Sequence, residues 1–144
     1  MNFDIKFDFQ RRDRLGLIEA IWGQDKSIDQ LERLCGNVLS KNEVVFITRI
    51  NSEKANYLLD LYDDARFHEE ANCLTIGKNF NKIITNKKVA IISGGSSDLA
   101  VTLEAQLALE IYGVNCQSFI DVGVAGLHRL MSQLEEINKY DVLI

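Results

Sequence analysis

Phe3, Ile5, Phe7 and Phe9 alternate with Asp4, Lys6 and Asp8, a period of two that predicts a strand with one apolar face. Gln10 to Arg14 carries arginine at positions 11, 12 and 14 and reads as a solvated connection. Leu15 to Trp22 is a short helix or irregular apolar segment leading to Gly23, with Trp22 as a core or interface anchor. Ser27 followed by Gln30 fits a capping box, and the helix it starts places Ile28, Leu31, Leu34, Cys35 and Val38 on one face. Glu43 to Ile50, EVVFITRI, is rich in β-branched residues and predicts a strand. Ser52 is expected to cap a helix whose stripe is Ala55, Leu58, Leu59 and Tyr62, and Cys73–Ile76 predicts a third short strand. The first half therefore reads β-α-β-α-β.

Residues Gly77 to Lys87 are polar, rich in Asn and Lys and poorly periodic, which predicts a domain boundary: 1–80, a linker at 81–87, and 88–144. Beyond it Val89–Ile92 is a continuous apolar run, suited to a strand buried on both faces of a parallel sheet. A helix from about Leu99 to Tyr112 ends at Gly113, strand Val114–Ile120 follows, and the loop Asp121–Gly126 leads into a helix of about Leu127–Asn138. Leu127, Leu130, Met131, Leu134 and Ile137 form its stripe, and Tyr140–Ile144 begins another strand. Strands alternating with helices imply a parallel sheet, whose ligands sit at the carboxyl ends of its strands. Ending on a strand that reads as buried predicts that the sequence is part of a longer chain.

Composition narrows the classes. The chain has 144 residues, 47% hydrophobic and 26% charged, with a net charge of −5, which argues against a general nucleic-acid binder. No apolar run approaches ~20 residues, so no membrane span is expected, and MNFDIKFDFQ lacks the basic start and apolar centre of a signal peptide. A cytoplasmic protein is the expectation. Cys35, Cys73 and Cys116 have neither an even count nor the close pairing of a zinc site, and reduced thiols follow.

Candidate chemistry gathers in two loops. Between the buried strand and its helix stand Ser93, Gly94, Gly95, Ser96, Ser97 and Asp98. A glycine-rich turn there leaves the first helical N–H groups facing outward, where a phosphate can satisfy them. Ser97 or Asp98 acting as a plain helix cap is the competing reading. The turn has neither the Rossmann glycine spacing nor the Gly-Lys-Ser/Thr of a P-loop. The second loop, Asp121–Arg129, leaves the carboxyl end of the next strand, so both lie at one edge.

Gly95-Ser96-Ser97-Asp98-Leu99-Ala100-Val101 with Glu104, and Asp121-Val122-Gly123-Val124-Ala125-Gly126-Leu127-His128-Arg129, resemble the aminoimidazole ribonucleotide carboxylases, most of all the LarB branch of nickel-pincer cofactor biosynthesis. Arg14-Leu15-Gly16, Trp22-Gly23-Gln24-Asp25-Lys26-Ser27 and Thr48-Arg49 follow that branch's weaker N-terminal pattern. Ser96 stands where the branch has Thr and Ala100 where it has Pro. The resemblance implies an α/β fold: a small α/β N-terminal domain followed by an incomplete three-layer αβα parallel sheet of the carboxylase type.

The activity it implies is carboxylation of the pyridinium ring of nicotinic acid adenine dinucleotide by CO2 or bicarbonate, with hydrolysis of the phosphoanhydride to AMP and a dicarboxylated pyridinium mononucleotide. Gly95, Ser96, Ser97, Asp98, Asp121, Gly126 and Arg129 are implied to bind substrate and phosphate. His128 matches the catalytic histidine of the purine carboxylases. The attacking cysteine of the family is expected downstream, and none of the three here takes its place. No tightly held cofactor is implied, a divalent cation is a further candidate, and a homo-oligomer, an octamer in the family, is expected. Aminoimidazole ribonucleotide carboxylation and non-catalytic nucleotide binding stand as alternatives. A solvated His128, an Asp121 that only caps its loop, a solvated His68 and a Glu104 at the surface or a subunit interface are the plainer readings of those residues.

Overall fold

The fold comes from a computed structural model that describes residues 7–77 and 85–144. The chain divides into two compact units, Met1–Asn79 and Phe80–Ile144. The strand expected at 3–9 falls largely outside the described residues; Phe7 to Phe9, within them, is not a strand, and the two phenyl rings pack with centroids 5.0 Å apart.

The first unit holds α1 (Arg11–Leu15), β1 (Ile21–Trp22), α2 (Ile28–Leu39), β2 (Val45–Thr48), α3 (Ser52–Leu61), β3 (Ala65–His68) and β4 (Cys73–Ile76). Its sheet runs β1-β2-β4-β3, with β1 parallel to β2 and the other pairs antiparallel. The expected parallel β-α-β-α-β is thus corrected to a mixed sheet. The additional strand, β3, is four residues long and follows α3 after only Tyr62, Asp63 and Asp64, too short a run for periodicity to register. A tight turn ending at Asn72, with φ of +49°, folds it back on β4.

The capping box at α2 is formed: Ser27 Oγ accepts from the Gln30 amide at 3.2 Å, and Gln30 Oε1 accepts from the Ser27 amide at 2.9 Å. At α3 the cap is Asn51, whose Oδ1 accepts from the Lys54 amide at 3.0 Å, and Ser52 is the first helical residue instead. Leu31, Leu34, Cys35 and Val38 of α2 pack with Ala55 and Leu58 of α3 against Val45, Ile47, Leu74 and Ile76. Each of the Leu, Ile and Val side chains contributes about 1.5–3 kcal/mol by leaving water. The connection at Gln10–Arg14 is a short exposed helix closed by Gly16 at φ +71°, with Arg14 paired to Asp8 and Arg12 to Glu43. Trp22 is not a core residue: it is 47% exposed, its indole N–H donates to Asp25, and the Arg49 guanidinium lies 5.4 Å from its ring centroid.

The second unit holds β5 (Lys88–Ile92), α4 (Leu99–Ile111), β6 (Asn115–Phe119), α5 (Leu127–Ile137) and β7 (Val142–Leu143). Its sheet order is β6-β5-β7 and every pair is parallel. Val89, Ala90 and Ile91 are buried, as a strand covered on both faces requires. One cover is α5, whose Leu130 and Ile137 meet Ala90, Ile92 and Phe119. The other is α4, where Gln106 binds Ser118 and Cys116, the register partners of Ile91 and Val89. The C-terminus of α4 closes with Gly113 at φ +69°; its amide reaches Glu110 O and the Val114 amide reaches Leu109 O, the Schellman pattern.

Two expectations of burial fail in this unit. Leu127 (54%), Met131 (57%) and Leu134 (37%) of the α5 stripe are exposed, and so are Val142, Leu143 and Ile144 at β7. Apolar periodicity marks a face that can be buried, not whether this chain supplies the cover.

Candidate functional site

The candidate site is built where β5 and β6 end. The Ser93 amide donates to Phe119 O at 3.0 Å, the Val122 amide to Ser93 O at 3.1 Å, and the Gly123 amide to Gly94 O at 3.0 Å, so the parallel ladder continues past the strands and zips the two loops together. A Cβ on Gly123 would lie 2.4 Å from Gly94 O and 3.1 Å from its carbonyl carbon. Only glycine allows this approach, because the obstacle is backbone.

From that seam the first loop rises as a single tight turn, Ser96–Asp98, into α4. The Asp98 carboxylate folds back and accepts from the Gly95 amide at 3.0 Å, while the Thr102 hydroxyl donates to Asp98 O at 2.9 Å. Asp98 makes no side-chain cap on α4 itself, but its carboxylate caps the turn Ser96–Asp98 that leads into that helix, in keeping with the capping reading of Asp98. The helix α5 has no side-chain cap either, whereas α2 and α3 each have one. Uncapped amides at a helix start carry the positive end of the helix dipole. Ser96, Ser97 and Asp98 are exposed and Gly95 is half-buried.

The second loop passes through the turn Val124–Gly126 into α5, with the Gly126 amide donating to Gly123 O at 2.9 Å. His128 stands exposed in the first turn of α5. Asp121 and Arg129, both expected to hold substrate, are ion-paired with each other. Asp121 adopts φ of +60°, and Gly126 is buried against the guanidinium.

The turn Gly95–Asp98, Asp121, Gly126, His128 and Arg129 therefore belong to two loops joined at Gly94 and Gly123. Ser93, named in the hydroxyl-bearing turn but given no binding role there, is 7% exposed and its hydroxyl has no hydrogen-bond partner. His68, read as solvated, is half-buried on β3 with Nε2 3.2 Å from the Thr75 hydroxyl oxygen.

Cys35 and Cys73 belong to the first unit, and Cys116 lies near the amino end of β6, away from the loops at its carboxyl end. Burial pushes the Cys35 thiol up to about 12 and raises that of half-buried Cys116, and Cys73 is fully buried. Among the described residues no three His, Cys, Asp or Glu side chains gather into a group able to hold a metal ion, and no helix is long and apolar enough to cross a membrane.

Residues 3–78 match the family model described as the LarB/PurE-like N-terminal domain, which covers more than half of the chain. The chain belongs to the LarB family. A curated relative, the uncharacterized protein MJ0165 of Methanocaldococcus jannaschii, is 32% identical over 144 residues, an alignment that takes in 96% of this chain and 56% of the relative. The chain thus spans about half the length of that relative. Membership in the LarB family supports a LarB/PurE-like biosynthetic role within an enzyme superfamily.

Proposed function

We propose that the intact protein carboxylates the pyridinium ring of nicotinic acid adenine dinucleotide and hydrolyses its phosphoanhydride, giving AMP and pyridinium-3,5-biscarboxylic acid mononucleotide. The observation that carries this reading is the seam at Gly94 and Gly123, which brings a hydroxyl-rich turn and the His128 loop to one sheet edge beside two helix starts without side-chain caps.

In this reading the start of the turn Ser96–Asp98 that leads into α4, with the Ser96 and Ser97 hydroxyls, receives phosphate oxygens. The geometry suits them, since donors at a helix start are fixed before the anion arrives. Asp98 holds the turn through Gly95 and offers its second oxygen to a ribose hydroxyl. His128 moves a proton beside the transferred carboxylate, a role suited to imidazole near neutral pH. In the overall step a ring C–H loses its proton as the C–C bond to CO2 forms, and water opens the phosphoanhydride. Neither half needs an oxidant or reductant. The thiolate adduct that the family resemblance implies would make the neighbouring ring carbon nucleophilic; the burial of Cys35 and Cys73 argues against either as its source.

The finer fold reading, an incomplete carboxylase-type αβα sheet, belongs to the same proposal and is supported by helices on both faces of a parallel sheet. So does a homo-oligomer: exposed Leu127, Met131, Val142 and Leu143 are apolar surface that a further layer or subunit would cover.

The test is incubation of the intact protein with the dinucleotide and 13C-bicarbonate. Release of AMP together with a labelled dicarboxylated nucleotide is the expected result. Neither product appearing would overturn the proposal, and turnover of aminoimidazole ribonucleotide instead would move the protein to the purine branch.

A further inference from the structure

We infer that the first unit carries a nucleotide site of its own at the carboxyl ends of β1 and β2, where Trp22 stacks on the base and Arg49 takes the phosphate. The site is independent of the reaction proposed above. It is made from Trp22-Gly23-Gln24-Asp25 and Thr48-Arg49, which that reaction leaves without a role.

Topology sets the place. β1 and β2 are parallel, with Trp22 opposite Thr48, and each is followed by a loop that enters a helix, α2 and α3. Ligands of α/β sheets sit at such an edge. The two loops are pressed together there. The Gly23 amide donates to Thr48 O at 2.7 Å, and a Cβ on Gly23 would lie 2.8 Å from Ile47 Cγ2 and 3.0 Å from Thr48 O.

Three features of this edge suit a planar anion. The first is Trp22, the one tryptophan of the chain, which is 47% exposed. Its indole N–H donates to Asp25 at 3.2 Å, which steadies the ring. A steadied aromatic ring at the surface is a stacking platform for a base. The side chains that meet it, Asp25 and Arg49, are both charged, which suits a ligand bearing charge better than an apolar partner surface. Asp25 holds the indole through one oxygen and offers the other to a ribose hydroxyl.

The second is Arg49, which is exposed and holds left-handed backbone, φ +53°. That conformation is unfavourable for a residue with a long side chain, and such strain gathers where a side chain must be aimed. Here it sets the guanidinium 5.4 Å from the Trp22 ring centroid. Stacking over a ring spends none of a guanidinium's five N–H donors, and its planar fork matches phosphate oxygens.

The third is Lys54, whose ammonium donates to Gly23 O at 3.0 Å and to Gln24 O at 2.8 Å. A trans peptide points its N–H opposite to its C=O. Pinning these two carbonyls therefore turns the amides of Gln24 and Asp25, both exposed, away from Lys54. Successive backbone amides aimed outward are a setting for anions.

The experiment titrates the chain with AMP and follows the emission of Trp22, which no other indole obscures, together with the base protons by NMR. Saturable quenching with a Kd below about 1 mM is expected, with upfield shifts of the adenine protons that Trp22→Leu removes. Adenosine and inorganic phosphate, each offering half of the ligand, should bind ~tenfold more weakly or worse. Arg49→Gly is the decisive variant. Glycine suits left-handed backbone, so its urea midpoint should be no lower than that of wild type while AMP affinity falls ~tenfold or more. Ser96→Ala combined with Ser97→Ala, in the second unit, should leave the quenching of Trp22 unchanged. Nicotinic acid mononucleotide is the second probe, and the tighter of the two nucleotides names the ring. The inference is overturned if neither nucleotide quenches saturably, if Arg49→Gly keeps full affinity, or if the Ser96 and Ser97 variant loses the quenching. Emission that follows protein concentration instead of nucleotide would also overturn it, making Trp22 a contact between copies of the chain.

Discussion

The backbone of Gly123 lies against the backbone of Gly94, with the amide donating at 3.0 Å and the Cβ position 2.4 Å from the same oxygen. Gly123→Ala must therefore separate the two loops. Expected is a destabilisation of the second unit of about 1–3 kcal/mol, the range for overpacking, and loss of nucleotide binding. Gly126→Ala, which meets only a side chain that can move, should be milder in stability. Urea unfolding of the two variants, with a nucleotide titration of each, checks the order.

The N-cap of α3 separates sequence expectation from structure. Asn51→Ala removes the acceptor for the Lys54 amide and should cost about 1 kcal/mol. Ser52→Ala, at the first helical position, should stay within about 0.5 kcal/mol of wild type. Equal effects in chemical denaturation, or a larger one at Ser52, would contradict the assignment.

Burial of Cys35 makes stability fall in alkali. Its folded thiol titrates near 12, above the unfolded value of about 8.5, so between the two the unfolded chain has lost a proton that the folded chain keeps. Stability is then lost progressively as pH rises through that window. Cys35→Ala should flatten the alkaline limb of a stability profile. In thiol labelling of the folded protein, half-buried Cys116 should react before Cys35 and Cys73.

Lys87 and Asp141 tether β7 to the start of β5. The Lys87 ammonium lies 2.7 Å from one Asp141 oxygen and the Lys88 amide donates to the other at 2.8 Å. The Lys87 hydrogen bond holds the Asp141 carboxyl below its usual range, and the same bond raises Lys87. A lowered carboxyl stabilises the fold above its unfolded value and loses that contribution as pH falls through the folded one; a raised ammonium does the reverse on the alkaline side. Docking of β7 should thus be constant across neutral pH and weaken in acid. Asp141→Asn should abolish the acid-dependent part of β7 amide exchange and reduce its salt dependence. An unchanged acid profile would contradict the tether.

Much was legible in the chain because it is local. The capping box at Ser27 and Gln30, the α2 stripe ending in the core, the buried run Val89–Ile91 and the closing glycine at 113 depend on residues within about four positions of one another, and periodicity and capping chemistry reach that far. So did the grouping of the two candidate loops, since successive parallel strands put their carboxyl ends at one edge. What depends on distant partners was not legible. Nothing in Ala65–His68 announces an antiparallel hairpin, because a strand of that length takes its direction from the neighbour it pairs with. Trp22, which reads as a core or interface anchor, and Leu127, Met131 and Leu134 of the α5 stripe lie at the surface, because hydrophobicity states a preference for burial and only the arrangement of other elements satisfies it.

The amino-acid sequence alone determined helices α2 to α5 and strands β2, β4, β5 and β6, and that hydroxyls, glycines and a histidine occupy turns after strands. Tertiary structure alone decided that the first sheet is mixed and that Asp121 holds Arg129. It also brought Gly123 to rest on Gly94. The physical reason is that local backbone preferences are written in neighbouring residues, whereas a hydrogen bond or ion pair between loops exists only once two strands have been laid side by side.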